Sequence, residues 1–209
     1  SFSYATTEEF IEIMEEVSGE NLSEFMNDWY YGEGFPSYQV TYIQREEGVI
    51  IRLNQNQSHP SVDFFEMPVP IRLVGQSSYT TVVLENVIQD QSYFVRTDFL
   101  VEAVEFDPDQ WILSQSEVAI DPSIGDGDVP SVLAYPNPSN SAVRFFFAVP
   151  TTEFDFLQVY DVEGKLCKAV TPPGGVLNGF RLNIVDLESG VYIVKFKGPS
   201  EYSLKLLKF

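Results

Sequence analysis

The spacing of apolar residues changes once along the chain, from a helical period to a period of two. Phe10, Ile13, Met14 and Val17 fall at i, i+3, i+4 and i+7, one face of a helix. Thr6 and Glu9 form a capping box ahead of them, and Gly19 is placed to end the helix. Asn21 is suited to cap a second helix, in which Leu22, Phe25, Met26 and Trp29 share a face; Gly32, Gly34 and Pro36 stop it. The acidic residues are expected on the opposite faces. Two short amphipathic helices cannot bury both stripes against each other alone, so they are expected to need a larger body, either the following segment or sequence upstream.

From Tyr38 to about Asp121 the alternation predicts strands near Tyr38–Gln44, Gly48–Asn54, Glu66–Val74, Tyr79–Glu85, Ser92–Thr97 and Leu100–Phe106, with a short last one near Glu117–Ile120. Glu46-Glu47-Gly48 reads as a hairpin turn, and Asp107-Pro108-Asp109 and Asp121-Pro122 as breakers. Six or seven short strands with regular turns predict an antiparallel sandwich. Ser123–Ser131 is small, acidic and carries Gly and Pro, which suits a flexible linker.

Beyond it the pattern is again all strand. Tyr135-Pro136-Asn137-Pro138-Ser139-Asn140 reads as a rigid turn, and Val143, Phe145, Phe147 and Val149 alternate onto one face, leaving Phe146 on the other as a surface or interface candidate. Phe154–Val162 and Lys165–Val170 pair through Glu163-Gly164. A loop at Pro172–Gly175 precedes strands near Phe180–Val185, Val191–Lys197 and Tyr202–Leu207. The fold class expected is mainly β: two antiparallel, Ig-like β-sandwich domains in tandem, preceded by two short α-helices. The boundaries expected are 1–36 for the helices, 37–121 for the first sandwich, 122–131 for the linker and 132–209 for the second sandwich.

Charge sharpens that division. The net charge is −19, and residues 1–36 hold nine acidic residues and no Lys or Arg. All six lysines lie at or beyond Lys165. So acidic a chain is not expected to bind nucleic acid, which needs Lys and Arg to displace counterions, nor an anionic membrane surface. No apolar run is long enough to span a bilayer and no signal peptide opens the chain. Its opening, Ser1-Phe2-Ser3-Tyr4, reads like the interior of a longer protein.

Candidate chemistry is sparse. The single histidine, His59, reads as an ordinary residue of the loop Gln55–Pro60; zinc binding through HExxH needs two histidines, and no nucleophile elbow accompanies it. Cys167 has strand spacing and is expected to be buried as a small hydrophobe. Asp126 and Asp128 could offer carboxylates to calcium, but the rest of an EF-hand loop is absent, and a solvated linker is expected. No phosphate loop opens a helix, and Glu15/Glu16 and Glu46/Glu47 are adjacent in sequence and point apart. No catalytic, cofactor-binding or metal-ligating residue is expected in this chain.

Two resemblances add to this. Thr6-Thr7-Glu8-Glu9-Phe10, Glu15-Glu16-Val17-Ser18-Gly19, Leu22-Ser23-Glu24-Phe25, Trp29, Tyr31-Gly32 and Gly34-Phe35-Pro36 resemble the last helices of the catalytic domain in zinc aminopeptidases of the aminopeptidase N family. The strands after Tyr38, with Met67-Pro68-Val69-Pro70-Ile71 and Asp121-Pro122, resemble the β-sandwich that follows it. That resemblance implies a zinc-bearing catalytic domain upstream as partner, with its ligands and general base outside this chain. Tyr135-Pro136-Asn137-Pro138, Val159–Lys165, Asp186-Leu187-Glu188-Ser189-Gly190-Val191-Tyr192 and Lys205–Lys208 resemble C-terminal sorting domains of the type IX secretion machinery of Bacteroidetes-like bacteria. This second resemblance implies export to the medium or cell surface, the outer-membrane secretion machinery as partner, and Tyr135, Pro136, Asn137, Pro138, Asp186, Gly190, Tyr192, Lys205 and Lys208 as candidate signal residues. A surface adhesin or carbohydrate-binding pair of sandwiches is the alternative.

Overall fold

The computed structural model describes residues 4–19, 21–125, 127, 132–151, 155–171, 177–198 and 201–209. Helix α1 spans Thr7–Ser18. Its capping box is formed: Glu9 N–H donates to Thr6 Oγ1 at 3.2 Å, and Thr6 N–H donates to Glu9 Oε2 at 2.9 Å. Gly19 ends it in the left-handed region, φ 72°, where a side chain would be strained. Helix α2, Ser23–Met26, is shorter than the apolar spacing predicts and passes into a π turn over Asn27–Tyr31. Asn21 is not its N-cap; Leu22 is, while Asn21 Oδ1 accepts from Ser23 N–H at 3.0 Å and Glu15 Oε1 accepts from Leu22 N–H at 2.7 Å. The stripe is only partly buried. Met26 is buried, Trp29 lies 4.7 Å from Phe65, and Phe25 is left exposed. Within the π turn one acidic residue, Asp28, is buried.

Seven strands follow. One sheet has the order β5 (Gln91–Arg96), β2 (Gly48–Gln57), β1 (Pro36–Arg45), β7 (Gln115–Ile120); the other has β4 (Tyr79–Asn86), β3 (Met67–Val74), β6 (Ala103–Phe106). Their alternating inward residues meet in one core: Tyr38, Val40 and Tyr42 of β1, Val49, Ile51 and Leu53 of β2, and Val69, Ile71 and Leu73 of β3. The pairing is not wholly antiparallel as expected, because β7 runs parallel to β1, with Val40 opposite Val118. β7 arrives from the opposite sheet after β6, not through a hairpin, so no tight turn dictates its direction. The segment read as a linker is not uniformly solvated either: Ile124 is buried, and Arg45 donates to its carbonyl. Asp126 and Asp128 lie outside the described residues, as do Pro172–Gly175.

Among the described residues seven further strands form a second pair of sheets. One has the order β11 (Leu166–Val170), β10 (Phe156–Asp161), β13 (Gly190–Lys197), β14 (Tyr202–Lys208); the other has β12 (Leu177–Asn183), β9 (Ala142–Thr151), β8 (Val132–Tyr135). Val143, Phe145 and Phe147 of β9 meet Leu157, Val159, Val194, Phe196 and Leu206 in a second core, with the Phe145 and Phe147 rings edge-on to Phe196. Cys167 is exposed, not buried. Val170 and Lys168 lie opposite the buried Leu157 and Val159, so Cys167, one position on, falls with Ala169 on the outward face of β11, and it is the extra residue of a bulge before Leu166 pairs with Tyr160.

Candidate functional site

The segment 135–139 and the last strand come together although about seventy positions separate them in sequence. Pro136 and Pro138 have no N–H to donate, and both of the peptide bonds that precede them, Tyr135-Pro136 and Asn137-Pro138, are cis. The side-chain amide of Asn137 supplies what the backbone lacks. Its Nδ2 donates to the carbonyl of Lys205 at 2.8 Å, and its Oδ1 accepts from Leu207 N–H at 2.8 Å. One amide thus stands in for a peptide group against the outer edge of β14. Ser139 continues the ladder: its N–H donates to Leu207 carbonyl at 2.9 Å, and its carbonyl accepts from Phe209 N–H at 3.3 Å.

On its inner side β14 pairs with β13, which sets Gly190 opposite Lys208 and Tyr192 opposite Leu206. Tyr192 is buried and its hydroxyl donates to Glu188 carbonyl at 2.8 Å. Burial, ahead of the nearby Cys167 and Glu188, pushes its phenol up. Lys205 is exposed, and Lys208 Nζ donates to Phe209 carbonyl at 2.6 Å. The structure therefore gathers Tyr135–Pro138, Gly190, Tyr192, Lys205 and Lys208 around the β13–β14 pair. Asp186 stands apart. It sits in the turn before β13 and accepts from Lys168 of β11 at 2.6 and 2.8 Å, and that hydrogen bond holds its carboxyl below the usual range.

Sequence reasoning missed a second cluster, at the junction between the helices and the two cores. A cavity there is lined by Asn21, Glu24, Glu66, Tyr135, Arg144 and Arg181 among others, and Phe146 also lines it. Tyr135 donates to Glu66 Oε1. Asp28 lies beneath it, with one carboxylate oxygen buried and unpartnered and the N–H of Glu66 donating to its carboxylate. Burial first, then the charge of Glu24, pushes Asp28 up to about 6 and Glu66 up to about 7. The only sequence hint was the segregation of charge, which sets an acidic first half against Arg144 and Arg181.

His59 lies in the loop after β2, with Nδ1 2.9 Å from Ser61 Oγ and Nε2 3.6 Å from Glu33. Among the described residues no group of three His, Cys, Asp or Glu is arranged to hold a metal ion, and no helix is long and apolar enough to cross a membrane.

Residues 133–208 match the family model described as "Secretion system C-terminal sorting domain". The match supports a type IX secretion C-terminal sorting domain over those residues, and with it a secreted or cell-surface protein. No curated protein matches the chain. Among solved structures the chain is similar to "Biofilm associated protein - BSP domain", at 12% identity and a TM-score of 0.30, with 91% of this chain covered. The chain spans only 32% of that protein's length.

Proposed function

We propose that the chain is the non-catalytic C-terminal region of a secreted protein, in which 37–121 is an accessory sandwich and 132–209 is the export address. The observation that carries the address is the sorting-domain match over 133–208. The geometry around β14 adds a reading of what is recognised. Lysines on an edge strand ordinarily serve to discourage pairing with another chain. Here Asn137 and Ser139 already occupy that edge, so Lys205 is free to act as a recognition group. Export of the full-length parent in a type IX-competent bacterium tests the reading. Deleting Tyr202–Phe209 is expected to trap the protein in the periplasm, and Lys205→Glu to slow export without unfolding the domain. Unchanged surface delivery of the deletion would sink the proposal.

The finer proposal is that the parent is a zinc metallopeptidase of the aminopeptidase N type, with 1–36 the end of its catalytic domain and the first sandwich a brace for it. Support for it is the order of motifs from Thr6 to Pro36. An HExxH followed by a downstream Glu, encoded ahead of Ser1, is the expected finding; a different upstream domain rejects it. Zinc would then belong to that domain. The adhesin or glycan-binding alternative is favoured by one feature, Trp111, which stands 81% exposed on a loop fixed by Asp107. Glycan-array binding lost on Trp111→Ala would select that alternative.

A further inference from the structure

The apolar stripe of α1 faces away from the rest of the chain. Phe10 is 56% exposed, Ile13 58%, Met14 41% and Val17 81%. The helix touches its own protein through a different face, whose half-buried positions are Thr7, Ile11 and Glu15. Thr7 Oγ1 lies 3.1 Å from the Tyr30 hydroxyl, and Glu15 holds Leu22. At about 100° of rotation per residue, that face lies about 110° around the helix from the centre of the stripe. Glu9, Glu16 and Glu12 follow about 90–150° around in the other direction. The stripe is therefore bounded by the body of the protein on one side and a line of carboxylates on the other.

We propose that α1 is a docking ridge for a folded protein surface that presents an apolar groove with lysines or arginines along one rim. Anchors at i, i+3, i+4 and i+7 are the pattern by which an amphipathic helix seats in a groove, and the ridge already holds its helical shape through the formed capping box and the Gly19 cap. Charge selects the partner. Residues 1–36 carry nine acidic residues and no base, so a second copy laid on this stripe would set carboxylates against carboxylates. An anionic lipid surface is repelled for the same reason. A basic rim pairs with Glu9, Glu12 and Glu16 and fixes which way the groove lies across the helix. The chemistry holds whether the groove belongs to the same polypeptide or another, and whatever reaction that body performs.

The test titrates the 1–209 chain into three fluorescein-labelled helical peptides of equal length, read by anisotropy. One is a Leu/Lys amphipath, one a Leu/Glu amphipath and one a Ser/Lys helix. The Leu/Lys peptide is expected to bind at least tenfold more tightly than the other two. Phe10→Ser with Val17→Ser is expected to weaken it at least tenfold. Glu9→Gln, Glu12→Gln and Glu16→Gln together keep the stripe and are expected to weaken it several-fold and flatten its salt dependence. Circular dichroism confirms that both variants retain the wild-type fold. Equal binding by either variant, or by the Ser/Lys helix, overturns the proposal. So does a wild-type dimer in sedimentation that Phe10→Ser with Val17→Ser makes monomeric, which would assign the stripe to a second copy.

Discussion

Gln55 has no exposure at all and ties three elements together. Its Nε2 donates to the Tyr38 hydroxyl and the Phe65 carbonyl, both at 3.1 Å, and its Oε1 accepts from Phe65 N–H at 2.7 Å. Asn86 and Gln91 extend the network beneath the loop after β4. Replacing Gln55 by Ala removes these bonds and leaves buried partners unmet. The expected loss is about 3 kcal/mol of stability, read from the urea midpoint. The sequence conceals this residue because Asn54, Gln55, Asn56 and Gln57 look alike and read as the end of the strand and a loop, whereas β2 runs on to Gln57 and turns Gln55 inward. Cys167 is the converse case: a small apolar residue whose strand phase, set by Val170 and Lys168 opposite Leu157 and Val159, turns it outward. Asn137 was legible as a turn residue but not as a clamp, because its partners lie at the far end of the domain. Asn137→Ala is expected to speed amide exchange at Leu207 at least tenfold and to cost about 1–2 kcal/mol.

At the scale of elements, what was local was readable. Both ends of α1 follow from Thr6, Glu9 and Gly19, residues within a turn of the boundaries they set. Which way the helix faces was not readable. An amphipathic pattern records where burial is needed, and the surface that supplies it need not lie in the same stretch of chain. β7 was placed correctly yet paired in the unexpected direction, because strand direction depends on the route of the preceding loop. Because α1 contributes little to either core, its cap is expected to act locally. Thr6→Ala should weaken the helix by about 1 kcal/mol. Amide exchange over residues 10–18 should quicken, while the near-ultraviolet dichroism of the sandwiches stays unchanged.

For the whole molecule the junction sets the pH response. Asp28 and Glu66 have proton affinities raised above those of the unfolded chain. Their contribution to stability is therefore fully present below about pH 4 and is lost as pH rises through about 6 to 7. Above that range Glu24, Asp28 and Glu66 repel one another, and Arg144 and Arg181 are the cations that line the same cavity. The thermal midpoint is expected to fall between pH 5 and pH 8 by on the order of 2–4 °C, equivalent to about 1 kcal/mol. Glu66→Gln should flatten that slope, and a slope unchanged by the substitution would remove the junction as its cause.

The outward face of β11 has a practical consequence. Cys167 is the one thiol in the sequence and it is exposed. It sits on the opposite edge strand of the sheet from β14, so a maleimide dye placed there leaves Asn137 and Lys205 untouched. One fluorophore per 1–209 chain, at a known position and without any substitution, makes the tumbling and binding of the purified chain observable by fluorescence.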